Sequence, residues 1–426
     1  MPSSSSLSKP ATAKRAGRGG IWRALSERNY RYYALGSGAS MIGMWVQRLA
    51  VGWLTWHLTE SGAWLGIIVF AEIVPALALL PFTGAVADRV DKLKLLRWSQ
   101  VLQCGEAIAL FLLTFFDMID IHLLLLLTLI QGTVTAFNQP VRLALVPNLV
   151  TKENMAAAIG IHSMLFNVAR AVGPVIAAWL IDTEGPALAF AINAASYVLY
   201  SALLSMIRLV QADDVGPRRP LRDMPSEILE GFRYAMRHKG IGGLLLLTFV
   251  IAVFGRNYTE LLPGFAAQVF GRAGADALGW MTSCIGGGAI VAGIWLSNRG
   301  KVGGLLSIGL AAMMGLIITI FVFASTELFW VGLVALACAG FCMSVTGISQ
   351  QILVQAAVES NMRGRVLGVY GLISRGGPGL GALLVGVLSH PLGFQVPVAA
   401  GTGICLIGWF WMWRRRATMR KMLENG

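Results

Sequence analysis

The stretch Pro81–Trp98, PFTGAVADRVDKLKLLRW, lies between two long apolar segments of the chain. Gly84 opens it, Asp88 and Arg89 carry the turn, and Lys92, Lys94 and Arg97 close it as a basic cluster. A short charged turn between apolar segments of bilayer length is the loop of a membrane helix pair. Its excess of Lys and Arg assigns it to the cytoplasmic face. The whole chain has the matching composition. Of 426 residues, 56% are hydrophobic and 13% charged, with mean hydropathy +0.68, where a soluble protein carries roughly 25% charged residues.

Apolar runs of about 20 residues, each able to cross a hydrocarbon core of roughly 30 Å, recur from Arg31 to Trp413. They predict an all-α integral membrane fold with twelve spans, at 32–57, 63–87, 94–116, 121–147, 154–181, 187–207, 240–262, 277–297, 303–324, 328–352, 365–389 and 393–413. Residues 1–31 read as a polar cytoplasmic tail and a short interfacial helix, 32–207 as an N-terminal six-helix half, 208–239 as a cytoplasmic linker, 240–413 as a C-terminal half and 414–426 as a cytoplasmic tail. A cleaved signal peptide is not expected, since the first apolar segment is too long and no small-residue cleavage site follows a short core. The net charge of +13 sits in short loops and tails, not on the continuous basic face that nucleic-acid binding needs. With both termini inside, the outer loops hold one base, Arg272, beside Asp117, Asp120, Asp182, Glu184 and Glu327. The opposite orientation violates the positive-inside rule almost everywhere. Cys104, Cys284, Cys338, Cys342 and Cys405 all fall inside apolar runs and read as small packing residues, so neither a metal nor another cofactor is expected.

The chain repeats itself at an offset of 204 to 208 residues: Met155, Gly160, Arg170 and Gly173-Pro174 recur as Met362, Gly368, Arg375 and Gly377-Pro378. Two six-helix halves repeated in parallel resemble the major facilitator plan, which implies that a substrate is handled at their interface near the midplane. Together with the loop Gly84, Asp88, Arg89 and Lys92, these features resemble the major facilitator superfamily over nearly the whole chain. The opening Trp22-Arg-Ala-Leu, Asn29-Tyr-Arg-Tyr-Tyr, Met44-Trp-Val-Gln-Arg48 and Leu58-Thr-Glu-Ser is similar to its siderophore (enterobactin) exporter and drug-efflux branch. The resemblance implies secondary active transport, usually proton-coupled efflux. It also implies that Asp88 and Arg89 stabilise the outward-facing state. Two motifs depart from the family pattern. The span-5 antiporter motif keeps Gly173-Pro174 but has Ala177-Ala178 for its glycine pair, and span 4 keeps Gln131-Gly132 but has Thr128 where an arginine is usual.

Charges inside spans are costly and usually paired or functional. Arg48 lies about ten residues before the end of span 1 and Glu72 about ten after the start of span 2, which in an antiparallel pair is one depth, roughly 15 Å from the outer surface at 1.5 Å per residue. Glu106 and Arg170 fall at similar depth. Glu72 and Glu106 are the candidate proton-coupling residues, and Arg48, Arg170, Arg375 and Gln131 are candidates for substrate or counter-ion contact. Arg256 and Glu260, spaced i,i+4, read as a helix pair or an outer gate. Trp45 and Trp280 are the tryptophans deep enough to line a cavity, whereas Trp53, Trp56 and Trp64 fit an interfacial belt. Gly84, Asp88, Arg89, Lys92, Gly173 and Pro174 are conformational residues. No nucleophile–base or phosphate-loop pattern is present, so an enzyme is not expected. The expectation is a monomeric exporter in the cytoplasmic (inner) membrane, working on protons and a small acidic or aromatic molecule. Uptake by symport and a membrane scaffold are the alternatives.

Overall fold

The computed structural model describes residues 19–208, 224–298, 303–359 and 362–424. In order, its helices are α1 Gly19–Ser26, α2 Arg28–Thr59, α3 Gly62–Arg89, α4 Lys92–Phe115, α5 Ile121–Leu145, α6 Met155–Glu184, α7 Pro186–Ser205 and α8 Met224–Arg237. There follow α9 Lys239–Val250, α10 Leu262–Gly264, α11 Ala275–Ser297, α12 Leu305–Ser325, α13 Phe329–Ala357, α14 Arg363–Leu392, α15 Gln395–Arg414 and α16 Arg416–Leu423. Among the described residues, eleven helical segments are long and apolar enough to cross a membrane. The segment below that threshold is α2, although its 32 residues reach about 48 Å. Gly36, Ser37, Gly38, Ser40, Gly43, Gln47 and Arg48 lower its hydropathy because protein surrounds it: Gly36 lies against Tyr200, Gly43 against Asn193 and Ser196, and Gly38 against Leu165. Small residues let helix backbones approach closely inside a bilayer.

The quoted charged stretch shows how the termini of these helices are satisfied. α3 runs through Asp88 and Arg89, so the bend falls at Val90–Asp91. The Asp91 carboxylate accepts from the backbone N–H of Leu93 and Lys94 at 2.9 and 3.0 Å and caps α4. Arg97 reaches the end of α7 and donates to the carbonyls of Leu204 and Ile207 at 2.7 and 3.3 Å, a cation on orphan C-terminal carbonyls. The side chains of Gly84, Asp88 and Arg89 lie outside the described residues. Asp120 caps α5 in the same way, accepting from His122 and Leu123.

The segment after α9 is not a continuous α-helix. A π-turn at Ile251–Gly255, a 3-10 turn at Asn257–Glu260, α10 and a second π-turn at Phe265–Val269 replace it. The Asn257 side chain donates to the Val253 carbonyl at 2.9 Å and Pro263 offers no N–H. Both remove ordinary helix bonds.

α2–α7 pack among themselves, as do α9 and α11–α15, and two extensive helix pairs cross between the groups: α3 with α14, and α6 with α11. Both chain ends meet the bundle at one end, here the terminal end; the opposite is the far end. At the far end the crossing pairs are tight. A methyl on Gly66 would overlap the Ala382 carbonyl, one on Gly386 the Gly62 carbonyl, and one on Gly279 the Ala178 side chain. Toward the terminal end they part. Gly364, Gly368, Gly371, Arg375, Gly379, Ala382 and Gly386 form one line along α14 at spacings of three and four. Gly379 and Gly386 touch α3, whereas no atom of the described residues lies within 4 Å of where a Cβ would stand on Gly364, Gly368 or Gly371. Gly160 on α6 and Gly293 on α11 are equally open. Among the described residues, the crossing pairs are closed at the far end and apart toward the terminal end.

Candidate substrate and coupling site

Arg48 projects from α2 into the place where the two groups of helices meet. Its Nη1 donates to both oxygens of Glu72 on α3 at 3.1 Å, and its Nη2 donates to both oxygens of Glu260 at 3.0 and 3.1 Å. One guanidinium thus satisfies two carboxylates from opposite halves, using the planar fork that lysine lacks. Side-chain exposure is 36% for Arg48 and Glu72 and 18% for Glu260, so the trio is partly wetted. The break after α9 makes this pairing possible, since the 3-10 turn carries Glu260 out of helical register with Arg256. The i,i+4 pair expected from the sequence does not form for that reason. The Arg256 Nε is buried with no hydrogen-bond partner among the described residues.

Further arginines stand around the trio. Arg375 is exposed at the point where α14 leaves α3, and the backbone of Arg170 touches α11 beside Gly286, just before that pair opens. Arg170 acts electrostatically on Arg256, Tyr258, Arg48 and Glu260. None of Arg170, Arg256 and Arg375 makes a salt bridge among the described residues. Trp45 lies edge-on to Phe166 with centroids 6.1 Å apart, and the Arg48 guanidinium lies 5.8 Å from the Trp45 ring. The meeting of the halves therefore presents an ion trio that bridges them, an aromatic wall, and nearby Arg170 and Arg256 without salt bridges among the described residues, with Arg375 exposed on the α14 line that faces α3.

Above the trio the far end is sealed by packing. Trp56, Phe265 and Phe323 form an aromatic chain with Phe394, at centroid distances of 4.7 to 5.8 Å. Asp182 at the end of α6 accepts from the Ala275 N–H at 3.1 Å, so an acid of one half caps the N-terminus of α11 in the other. Gly173 admits Trp45 between α2 and α6, and the Pro174 carbonyl and Ala178 lie against Gly279 of α11. Alanine in place of the second motif glycine still allows that contact.

A family model described as "Transmembrane secretion effector" matches residues 20–424. The chain belongs to this family of major facilitator transporters. Among its relatives is the staphyloferrin A transporter of Staphylococcus aureus (strain NCTC 8325 / PS 47), 25% identical over 93% of this chain and 98% of that one. The enterobactin exporter EntS of Shigella flexneri is 26% identical over 83% of this chain and 82% of the relative. Among solved structures, a bacterial homologue of the human lysosomal transporter Spinster, inward-facing and unoccupied, superposes with TM-score 0.70 at 15% identity, covering 93% and 98% of the two chains. A bacterial homologue of the iron transporter ferroportin, in its inward-facing state, gives 0.71 at 13% identity over 91% and 98%. These likenesses show the fold, and the family is one of multi-pass membrane transporters, not enzymes.

Within this secretion-effector fold the other expected residues separate. Glu106 on α4 is 5% exposed and receives the Gln47 amide at 3.1 Å on both oxygens. Arg48 turns away from it toward Glu72. Gln131 donates to the Tyr197 hydroxyl at 3.2 Å and faces α7. Trp280 is not brought into the group. It is 58% exposed near the far end of α11, where the bundle is closed, so it faces outward. Depth along a helix had suggested otherwise, but the neighbouring Gly279 takes the inward position against α6. Lys92 begins α4. Sequence reasoning missed Gln47, Asn193, Tyr258 and the inward role of Glu260. For the buried face of α4, the spacing of Ser99, Gln100, Gln103 and Glu106 in an otherwise apolar span was an available signal.

Proposed function

We propose that this transporter exports a small siderophore-type organic acid across the bacterial cytoplasmic membrane in exchange for protons, as a monomer with both termini inside. The observation that carries the reading is Arg48 held between Glu72 and Glu260 across the two halves, ringed by Arg170, Arg256 and Arg375 without carboxylate partners among the described residues. Unpaired guanidiniums in a cavity recruit carboxylate or phenolate oxygens. A substrate anion entering from the cytoplasm competes with Glu260 for Arg48 and loosens the contact between halves near the far end. The transporter then opens outward and releases its cargo. Protons arriving from outside neutralise Glu72 and Glu106 and favour the return. Arg256 and Glu260 act at the outer gate, and Gly84, Asp88, Arg89 and Lys92 form the opposing latch that closes the cytoplasmic end, as the family resemblance implies. The siderophores named for the relatives support this substrate class.

The test compares small molecules in cells and spent medium for wild type, a deletion strain and the Glu72→Gln variant at matched expression. A compound retained inside and missing outside in both mutants supports export and names the cargo. Profiles equal to wild type, with a nutrient-dependent growth defect, shift the reading to uptake. A phenotype confined to the deletion makes the ion trio a static strut.

A further inference from the structure

The second half ends in a basic corner. α15 stops at Arg414, the Arg415 N–H turns back to the Met412 carbonyl at 3.1 Å, and α16 starts at Arg416. Each of these three consecutive arginines lies over an aromatic ring of α15. The Arg414 guanidinium is 4.5 Å from the Phe410 centroid, that of Arg415 is 4.8 Å from Trp411, and that of Arg416 is 4.0 Å from Trp413. Stacking of this kind holds a long side chain in place and leaves its N–H groups free at the rim. The rings are themselves fixed. Trp413 stacks on Trp409 and on Phe410 at centroid distances of 5.8 and 6.5 Å, and the Trp409 indole N–H donates to the Leu310 carbonyl of α12 at 2.8 Å.

No acid answers these charges. Arg414, Arg415 and Arg416 make no salt bridge among the described residues. The carboxylate that follows α16, Glu424, is turned inward. Its side chain is 2% exposed, it accepts from the backbone N–H of Gly304 and Leu306 at 2.9 and 2.8 Å, and its remaining partner is Arg420 at 3.2 Å. Met419 and Leu423 are buried, so α16 lies across the base of the second half with Arg416, Arg420 and Lys421 exposed. The surface leading to the corner is apolar. Gly403, Ile407, Phe410 and Arg414 stand at i, i+4, i+7 and i+11, on one line of α15. All four are exposed, and no atom of the described residues lies within 4 Å of where a Cβ would stand on Gly403. α15 has the length and hydropathy of a membrane span, so this line meets hydrocarbon and Arg414 stands where the hydrocarbon gives way to headgroups. The linker helix α8 also exposes Arg233 and Arg237 at the terminal end, but neither stacks on a ring among the described residues.

We propose that the α15–α16 corner is a binding site for an anionic phospholipid of the leaflet at the terminal end. The phosphate oxygens take the free N–H groups of Arg414 and Arg416, and an acyl chain lies along Phe410, Ile407 and Gly403. Arg415 adds charge from the side of α9, where Trp411 meets Gly243. The guanidinium fork matches phosphate oxygens in pairs, and stacked arginines lose little freedom on binding them. A lipid brings its phosphate to the depth of this corner and its chain to the apolar line below. A soluble anion reaches only the arginines. A zwitterionic lipid carries its own cation beside the phosphate, which competes with the guanidiniums, so the site favours a headgroup with net negative charge.

The test uses the full chain, purified in mild detergent and stripped of lipid, with phosphatidylglycerol and phosphatidylcholine of matched chains as probes and native mass spectrometry as the readout. Wild type is expected to retain phosphatidylglycerol in preference to phosphatidylcholine. Arg414→Gln combined with Arg416→Gln is expected to weaken the tightest phosphatidylglycerol about tenfold. Arg233→Gln combined with Arg237→Gln removes the same charge from the same end and is expected to leave that affinity unchanged. Melting gives a second reading, since a ligand that binds the folded state raises its stability. Phosphatidylglycerol is expected to raise the melting temperature of wild type and not that of the Arg414→Gln, Arg416→Gln variant. Without lipid that variant is expected to melt like wild type, because both side chains face outward. An equal loss of affinity in the two arginine pairs overturns the site and leaves a general attraction to the basic end. Equal retention of the two lipids overturns the headgroup preference, and displacement of phosphatidylglycerol by inorganic phosphate alone overturns the lipid in favour of a soluble anion.

Discussion

The core of the first half, α2–α7, buries Gln47, Gln100, Gln103, Glu106, Asn138, Arg142 and Asn193; that of the second, α9–α15, buries Thr248, Asn257, Thr346, Ser349 and Gln350 and, among the described residues, no charged side chain. Toward the first half, the second contributes the carboxylate Glu260 and the arginines Arg256 and Arg375, which make no salt bridge among the described residues. Buried polar groups are tolerated when hydrogen-bonded and costly otherwise, so such a dense network has to be maintained by use. The contrast teaches a division of labour. The first half carries polar and charged side chains in its interior, and the second half is a more apolar body that presents charge at the contact.

The strongest way to break that picture is Arg48→Met. It leaves Glu72 and Glu260 facing each other across the halves without a cation. Losing one partner of a buried pair costs about 3–5 kcal/mol, less here because the trio is partly wetted. Uphill transport in proteoliposomes is expected to fall by about 30-fold or more, the equivalent of roughly 2 kcal/mol. Retention of half the rate would leave the trio without a role in the cycle. Next come Arg256→Gln and Arg375→Gln. If these second-half arginines meet the cargo, the substitutions are expected to raise KM about tenfold with kcat kept. A fall in kcat at constant KM would move them to the machinery of the first half.

Asp182→Ala is smaller. It removes an N-cap worth about 1 kcal/mol that exists only while the far end is closed. Alkylation of a cysteine introduced at Ser389, buried in that closure, should accelerate about fivefold, and an unchanged rate would show that the cap does not hold the gate. The smallest effect is expected from Trp280→Ala, an outward-facing change within about 0.5 kcal/mol in thermal unfolding and without consequence for KM. A raised KM there would place the cavity elsewhere.

Much of the architecture was legible because hydropathy and length act residue by residue. The spans from α3 onward announce themselves by apolar length, and Arg48 and Glu72 could be matched because equal distance from a shared loop means equal depth. What failed to transmit was azimuth and partner. Trp280 has the depth of a cavity residue and the wrong side of its helix, which no single-helix pattern reports without knowing the neighbours. Glu260 was read on an unbroken helix, whereas Asn257 and Pro263 unwind that segment and re-aim it across the interface. α2 is less apolar than its neighbours because protein encloses it, a property of the packing that its own letters state only indirectly. Which end stands open depends on how two halves lean on each other, and neither half's sequence contains that alone.

The bare positions Gly364, Gly368 and Gly371 carry a warning for anyone seeking a sturdier preparation of this transporter. Among the described residues nothing stands where their Cβ atoms would go, and replacing an idle helix glycine by alanine gains up to about 1 kcal/mol at each site. A screen for thermal tolerance would select such changes. Yet their line on α14 is the one that already meets α3 at the other end, and methyl groups there would obstruct the same embrace when the molecule rocks over. The triple alanine variant is expected to melt later and turn over more slowly, trapped with its mouth toward the terminal end. If it melts later and still turns over at full speed, α3 and α14 do not close along that line. If it slows as expected, this open line of α14 is what lets the molecule move, and the most tempting place to improve it is where improvement would stop it.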